Sequence, residues 1–425
     1  MFSRYPQLSQ CDVDQKILAY IPMVAVTLLH RRGYFQQHLT VDGTQTESPV
    51  TWEPEQHLER LAHGPCEVEI EGRTVAIQAW QYVQTGVTGA QVPVVFLDTD
   101  LAVNSEEDRG LAGSLYGGDR RYRLAQEIVL GVGGRRMLLA LGYQQIEKMH
   151  INEGHAALCG LDLFVQRRAA GRTRDEALED ARSRLVFTTH TPVPAGHDRF
   201  DRELAVSLLG EKMFGAYESL RGGHQNDLNM SLLGIDVSGF INGVAQKHAE
   251  VSREMFPGAT IHGITNGVHS PTWTAPAMAK LFDCWLPGWR SNNALLRWAE
   301  KIPLAEIVAA HQASKQALVD AVNARTLGPV KASAELFTIG YARRATAYKR
   351  PTLILRDLGR LRALANRYGQ FQILFCGKAH PRDIEGKRLI TEVHRLRDEL
   401  GDAVRLVYVP GYNMTLGGLM TSGVD

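Results

Sequence analysis

Between Phe337 and Arg350 the chain reads FTIGYARRATAYKR, and four cations, Arg343, Arg344, Lys349 and Arg350, fall within eight residues. Arginine offers phosphate oxygens a planar fork of donors, and lysine a compact point charge. The grouping therefore reads either as an anion site or as a solvated basic loop. A β-rich run precedes it, and Pro351 suits the first position of a following helix, where its missing N–H costs nothing. The cations would then lie between a strand's C-terminal end and a helix N-terminus. Open α/β sheets bind ligands there, and free backbone N–H groups favour an anion.

Four other segments carry chemistry-bearing side chains. HINEGH, His150–His155, sets Asn152, Glu153 and His155 between a strand and a helix. A helix cap with a satisfied histidine explains it equally well. A metal reading is weak, because the HExxH order is absent and no carboxylate follows at ligand spacing, so no metal is expected. In TTHTPVPAGHD, Thr188–Asp198, His190 follows a strand end and two prolines stiffen the turn beyond it. Thr265-Asn266-Gly267 tolerates left-handed backbone and can be a plain turn. Gly377-Lys378-Ala379-His380-Pro381 again follows a strand, and Lys378 there can face a ligand or only a turn. Two such loops from each half would converge on one cleft, and that convergence is the stronger argument.

The elements that must position these loops are legible in outline. Leu336–Gly340, Phe371–Cys376 and Val404–Val409 are short β-rich runs, each followed by a polar loop. After the first loop Ile354, Leu358, Leu361 and Ala365 keep the spacing of one helix face. Strand, loop and helix repeated in this way imply a parallel, Rossmann-like sheet. Upstream, Val92–Leu97 and Leu185–Thr188 read as strands, with helical stretches from Tyr122 to Leu141 and from Gly154 to Arg168. A boundary falls in the loop-like Ile264–Trp273, which divides the chain into residues 1–264 and 265–425, two α/β domains with a cleft between them.

Forty-seven basic against 46 acidic residues leave a net charge of +1, which offers no broad field for nucleic acid or an anionic membrane. Any anion must be held by a local cluster. The five cysteines, Cys11, Cys66, Cys159, Cys284 and Cys376, form no CxxC pair and suit a reducing cytoplasm. No apolar run approaches the roughly 18–20 residues of a membrane span. The nearest, Ala19–Leu29, contains Pro22 and reads as a buried strand.

Taken in order, LHRRGYFQQ (Leu29–Gln37), LYGGDRRYRLAQEIVLGVGG (Leu115–Gly134), HINEGHAAL, FTTHTPVPAGHDRF, NGVAQKHAEVSREMFPG, GITNGVHSPTW, ARRATAYKR and GKAHPRD resemble the α-glucan phosphorylase family, most of all its shorter bacterial and archaeal branch. The resemblance runs from about Pro22 to Asp425. It implies a GT-B fold of two Rossmann-like domains, pyridoxal 5′-phosphate as cofactor, and phosphorolysis of terminal α-1,4-glucosidic bonds to α-glucose 1-phosphate with retention. The partners implied are an α-1,4-glucan and inorganic phosphate, and the family commonly forms homodimers. By the same resemblance Arg344 and Lys349 match the phosphate-binding pair. His190 and Asn266 match contacts to the terminal glucose. Glu153 and His155 match the acceptor side, with Asn152 beside them on the substrate side. Tyr348 and Lys378 fall on cofactor- or phosphate-side positions.

The departures set further expectations. The family continues past Ser422–Asp425 into an EASGT…MK segment whose lysine forms the Schiff base, and no lysine of this sequence matches it. Its upstream Gly-rich loop has no counterpart, Met1–Tyr20 match nothing in it, and Gly411 stands where it usually has Asn. Both domains are therefore expected to be incomplete, with unpaired sheet edges, low stability and no phosphorolysis. Two other readings are a catalytically dead glucan- or partner-binding remnant and a nucleotide-sugar GT-B transferase.

Overall fold

A computed structural model describes residues 22–115, 117–193, 196–220, 227–326 and 330–425. The unmatched stretch Met1–Tyr20, and the first residues of the strand expected over Ala19–Leu29, lie outside the described residues. The described part of that strand is β1, Ala25–Leu28.

The fold is mixed α/β, with parallel pairing where the candidate loops lie. After β1 comes a hairpin of β2 (Phe35–Leu39) and β3 (Gln45–Pro49), then β4 (Glu59–Arg60), β5 (Gln78–Thr85) and β6 (Gln91–Asp98). These form a mixed sheet in the order β1-β6-β5-β4, with β1 parallel to β6 and β5 antiparallel to it. The next sheet holds β7 (Met149–Asn152), β8 (Leu185–Thr189), β9 (Phe240–Gly243) and β10 (His262–Gly263) in the order β10-β9-β8-β7, all parallel. The C-terminal ends of all four strands therefore share one edge; Asn152 ends β7, and Glu153, His190 and Asn266 follow such ends.

The helical stretch expected over Tyr122–Leu141 is interrupted. Helix α1 (Arg120–Ile128) passes through a wider turn at Val129–Gly133 before a second helix, Gly134–Ala140. A side chain on Gly131 would meet Leu158 Cβ at 2.9 Å and Cys159 N at 3.0 Å. Glycine here lets the turn close against α2 (Leu158–Ala169), whose face Leu158–Phe164 is buried.

The second half follows the three expected runs closely. Strands β11 (Phe337–Ala342), β12 (Phe371–Cys376) and β13 (Val404–Val409) form a parallel sheet in the order β11-β12-β13, with Phe371 opposite both Phe337 and Val404. Their near-continuous apolar sequences fit a sheet covered on both faces. Ile373, Phe375, Leu406 and Tyr408 enter one core cluster, while Leu374, Cys376, Val407 and Val409 enter another, the period-two split of a strand. Helices α3 (Leu358–Tyr368) and α4 (Ile384–Leu400) cover the first cluster, and Leu361, Ala365, Ile390 and Val393 face it.

One expectation fails locally. Pro351 does not open a helix: α3 begins at Leu358, after two short 3₁₀ turns, and Arg350 between them is left-handed at φ 53°. Asp357 caps the helix with its side chain, so the start signal lies six residues further on. The cations gain nothing from a helix N-terminus.

The β2–β3 hairpin ties the halves together. Gln37 and Gln45, both buried, bond to each other at 2.8 Å. Gln37 Nε2 donates to the Gly377 carbonyl at 3.0 Å and its Oε1 accepts from the Gly411 N–H at 3.0 Å. Gln45 both donates to the Ala379 carbonyl (2.9 Å) and accepts from the Ala379 N–H (3.0 Å). Gly411 sits at φ 72°, a conformation that Gly and Asn both tolerate.

Candidate functional site

The four cations sit on the loop that leaves the C-terminal end of β11. Arg343, Arg344 and Arg350 are exposed and Lys349 is half-buried. The loop is pinned from below: Arg343 N–H donates to the Cys376 carbonyl (3.2 Å), Ala345 N–H to the Lys378 carbonyl (3.1 Å), and the Tyr341 hydroxyl to the Lys349 carbonyl (2.9 Å). A Cβ on Gly377 would collide with the Arg343 carbonyl oxygen, so glycine is required for the two loops to lie this close.

Among the described residues no carboxylate pairs with any of these four side chains. Elsewhere cations are met: Arg31 by Asp98, Arg73 by Asp108 and Arg135 by Asp162. Four unmatched charges on a fixed loop make a positive patch on a chain of balanced charge, and such a patch suits an anion. His380 lies close enough to Arg344 and Arg382 to feel their charge, and burial together with these cations lowers its pKa.

Lys378, on the adjoining loop, is turned away. Its Nζ donates to the Phe35 carbonyl at 3.1 Å and lies 5.1 Å from the centre of the Phe35 ring, and burial lowers its pKa. Tyr348 is 54% exposed, with Lys349 Nζ 4.7 Å above its ring. The residues present thus fit a phosphate group. Lys378, engaged with Phe35, is not free beside it for an aldehyde.

Across the chain, the β7–β10 edge gathers part of the expected sugar site. Glu153 follows β7 in a strained conformation, φ 65° and ψ 177°, that a non-glycine residue rarely adopts. The turn brings its carboxylate under the next strand end, where Oε2 accepts the His190 N–H at 2.8 Å. Glu153 is 7% exposed, so it holds the His190 backbone and does not face solvent. His197 and His248, which sequence reasoning did not single out, join this group. His197 Nδ1 lies 3.8 Å from Glu153 Oε1 and bonds Ser231 Oγ at 2.7 Å. His248 has a lowered pKa because burial outweighs the opposing charge of Glu153, with His190 adding to the lowering. Asn152 and Asn266 are exposed on the same edge, and the Asn266 N–H is fixed to the Val244 carbonyl at 3.0 Å.

His155 belongs to a different cluster. Its Nδ1 lies 3.2 Å from Asp198 and 3.4 Å from buried Glu127, while Arg123 reaches both carboxylates at 3.0 Å. Burial opposes charging of His155, yet the two carboxylates outweigh it and raise its pKa to about 9. Burial, helped by the charge of Asp198, pushes Glu127 up to about 7 against the pull of His155 and Arg123. Ligand atoms of Glu127, His155 and Asp198 come within 4.8 Å of one another, the spacing of a cation site. The Arg123 guanidinium already supplies the positive charge there. A sequence signal existed for part of this group, since Arg123 and Glu127 stand at i, i+4.

No hydrogen bond or ion pair among the described residues joins the cation loop to His190, Glu153 or Asn266. The two half-sites lie on the C-terminal edges of separate parallel sheets.

The chain is 34% identical to the maltodextrin phosphorylase of Thermococcus litoralis across 95% of its own length and 52% of that protein. The glycogen phosphorylase of Mycobacterium bovis gives the same values. That of Aquifex aeolicus is 28% identical over 95% of this chain and 63% of its own. Curated homologues of this chain thus include proteins named maltodextrin phosphorylase and glycogen phosphorylase. No family model matches the chain. The chain spans about half the length of the first two relatives. No helix among the described residues is long and apolar enough to cross a membrane.

Proposed function

We propose that this protein is a glycosyltransferase of the α-glucan phosphorylase type, with inorganic phosphate on the Arg343–Arg350 loop and the terminal glucose of an α-1,4-glucan at the β7–β10 edge. The observation that carries this is the fixed loop of four unpaired cations at the mouth of a parallel sheet. Arg344 and Lys349 clamp the phosphate, offsetting the charge it brings and holding it for attack at the anomeric carbon, with retention of configuration. His190, its backbone fixed by Glu153, and Asn266 contact the sugar. Asn152 flanks them, and His155 stands on the acceptor side.

The fold we assign is GT-B, with residues 1–264 and 265–425 as its two Rossmann-like domains. Pyridoxal 5′-phosphate is the cofactor such enzymes use, supplying a second phosphate that exchanges a proton with the first. The cation loop would flank that phosphate, while Lys378 is turned to Phe35 instead. Four free cysteines, Cys66, Cys159, Cys284 and Cys376, fit a reducing cytoplasm, where we place the protein.

Titration calorimetry with inorganic phosphate tests the clamp. A charge-assisted hydrogen bond contributes about 1.5–3 kcal/mol, so Arg344→Ala should weaken phosphate binding roughly 10- to 100-fold. Unchanged binding in that variant refutes the assignment. Release of glucose 1-phosphate from maltoheptaose and phosphate reads turnover. Binding of both reactants without release would instead favour a glucan-binding protein of phosphorylase descent.

A further inference from the structure

A cavity of about 500 Å³ opens beside the start of β5 and the end of β6, and none of the residues assigned above lines it. Its apolar wall is Leu58, Trp80 and Leu101, and its polar wall includes Arg31, Arg60 and Asp98. The polar groups are braced by each other. Asp98 Oδ2 accepts from Arg31 Nη2 at 2.6 Å and from the Trp80 indole N–H at 3.0 Å, and Arg60 donates to Gln78 at 3.0 Å. Asp100, also on the wall, is held by Arg109 at 2.7 Å.

One donor is left over. Arg31 Nε is buried and has no hydrogen-bond partner among the described residues, and it lies 4.0 Å from the nearest oxygen of Asp100. A buried donor without an acceptor is costly, and here it borders an open cavity.

The wall chemistry limits what fits. Arg31 and Arg60 share the wall with three carboxylates, Glu55, Asp98 and Asp100, so no surplus positive charge attracts an anion. Asp98 and Asp100 already accept from arginines, which leaves a metal ion no free carboxylate pair. Planar, mutually braced polar groups beside an indole suit a neutral polyol, whose hydroxyls both donate and accept while its C–H face lies on the ring. The volume admits one or two hexose units.

We infer that this cavity, lined by Arg31, Arg60, Trp80 and Asp98, is a second saccharide subsite that holds a glucose unit of an α-glucan beyond those at the β7–β10 edge. The glucan as ligand rests on the proposed function, and the cavity adds a place for it which that reading does not require.

Native electrophoresis of the full chain through gels containing soluble starch tests it. Leu101→Trp fills the cavity from its apolar wall, and Arg60→Ala/Glu55→Ala strips its rim. Each should weaken retardation about tenfold, the loss of one or two hydrogen bonds or of the ring contact. His190→Ala/Asn266→Ala should remain retarded through the cavity. If Leu101→Trp does not fold by circular dichroism, the rim variant decides alone. Wild-type retardation in both cavity variants overturns the inference and leaves the proposed function intact. An unretarded wild type also overturns it, while the phosphate titration of Arg344→Ala judges the proposed function separately.

Discussion

Replacing Gln45 by leucine, a side chain of similar size, should show how strongly the β2–β3 hairpin holds the second sheet. Gln45 is 4% exposed and bonds both the N–H and the carbonyl of Ala379, which is itself fully buried. Leucine fills the space but orphans both main-chain groups and one bond to Gln37. Each buried polar group left unpaired costs about 1–3 kcal/mol, so we expect a loss of about 3 kcal/mol after partial rearrangement. Urea denaturation followed by tryptophan fluorescence gives the number. His38→Ala is the control on the same hairpin, since His38 is exposed and bonds only Ser48 among the described residues. It should cost less than about 0.5 kcal/mol. Because Gln37 and Gln45 share one network, the double leucine variant should cost less than the sum of the single ones. A loss below about 1 kcal/mol for Gln45→Leu would refute the idea that these amides fasten the hairpin to the Gly377–Ala379 loop.

Gly377→Ala should destabilise by about 2 kcal/mol or more and weaken phosphate binding, because the new methyl meets the Arg343 carbonyl. A thermal midpoint and phosphate affinity both equal to wild type would contradict this. The ionisation of His155 should give the protein a pH signature. Its folded pKa of about 9 lies above its ordinary value of 6.5, so the folded state binds the extra proton. Its stabilisation is complete below about pH 6.5 and is lost as pH rises through 9. Solvent trims the effect, since 39% of the side chain is accessible. In His155→Gln the fall in melting temperature between those pH values should shrink, and an identical slope in both proteins would refute the assignment.

The strands of the second sheet were legible because they are covered on both faces. Phe371–Cys376 and Val404–Val409 are apolar but for Gln372 and Arg405 and match the observed strands to the residue. The helix start after the cation loop was misread at Pro351 because proline is compatible with several turns. The cap that decides the start, Asp357, bonds a backbone N–H three residues on. His155 and Glu153 lie two residues apart in HINEGH and were read as one group. The left-handed turn at Glu153 sends its carboxylate to His190 and leaves His155 to Glu127 and Asp198. A single residue's φ, set by packing around it, separated two roles that spacing could not.

By itself the sequence determined what is local or repetitive: an α/β chain, the strand-end placement of the candidate loops, and the density of cations between Arg343 and Arg350. Only the tertiary structure decided which charges stay unpaired. Arg123 and Arg31 look no different in sequence from Arg344, but the fold brings Asp198 and Asp98 to the first two and nothing among the described residues to the third. The same holds for Gln37 and Gln45, whose partners lie more than 300 residues away in the chain. A partner that distant leaves no periodicity to read, because the interaction depends on where two sheets meet and not on the spacing within either.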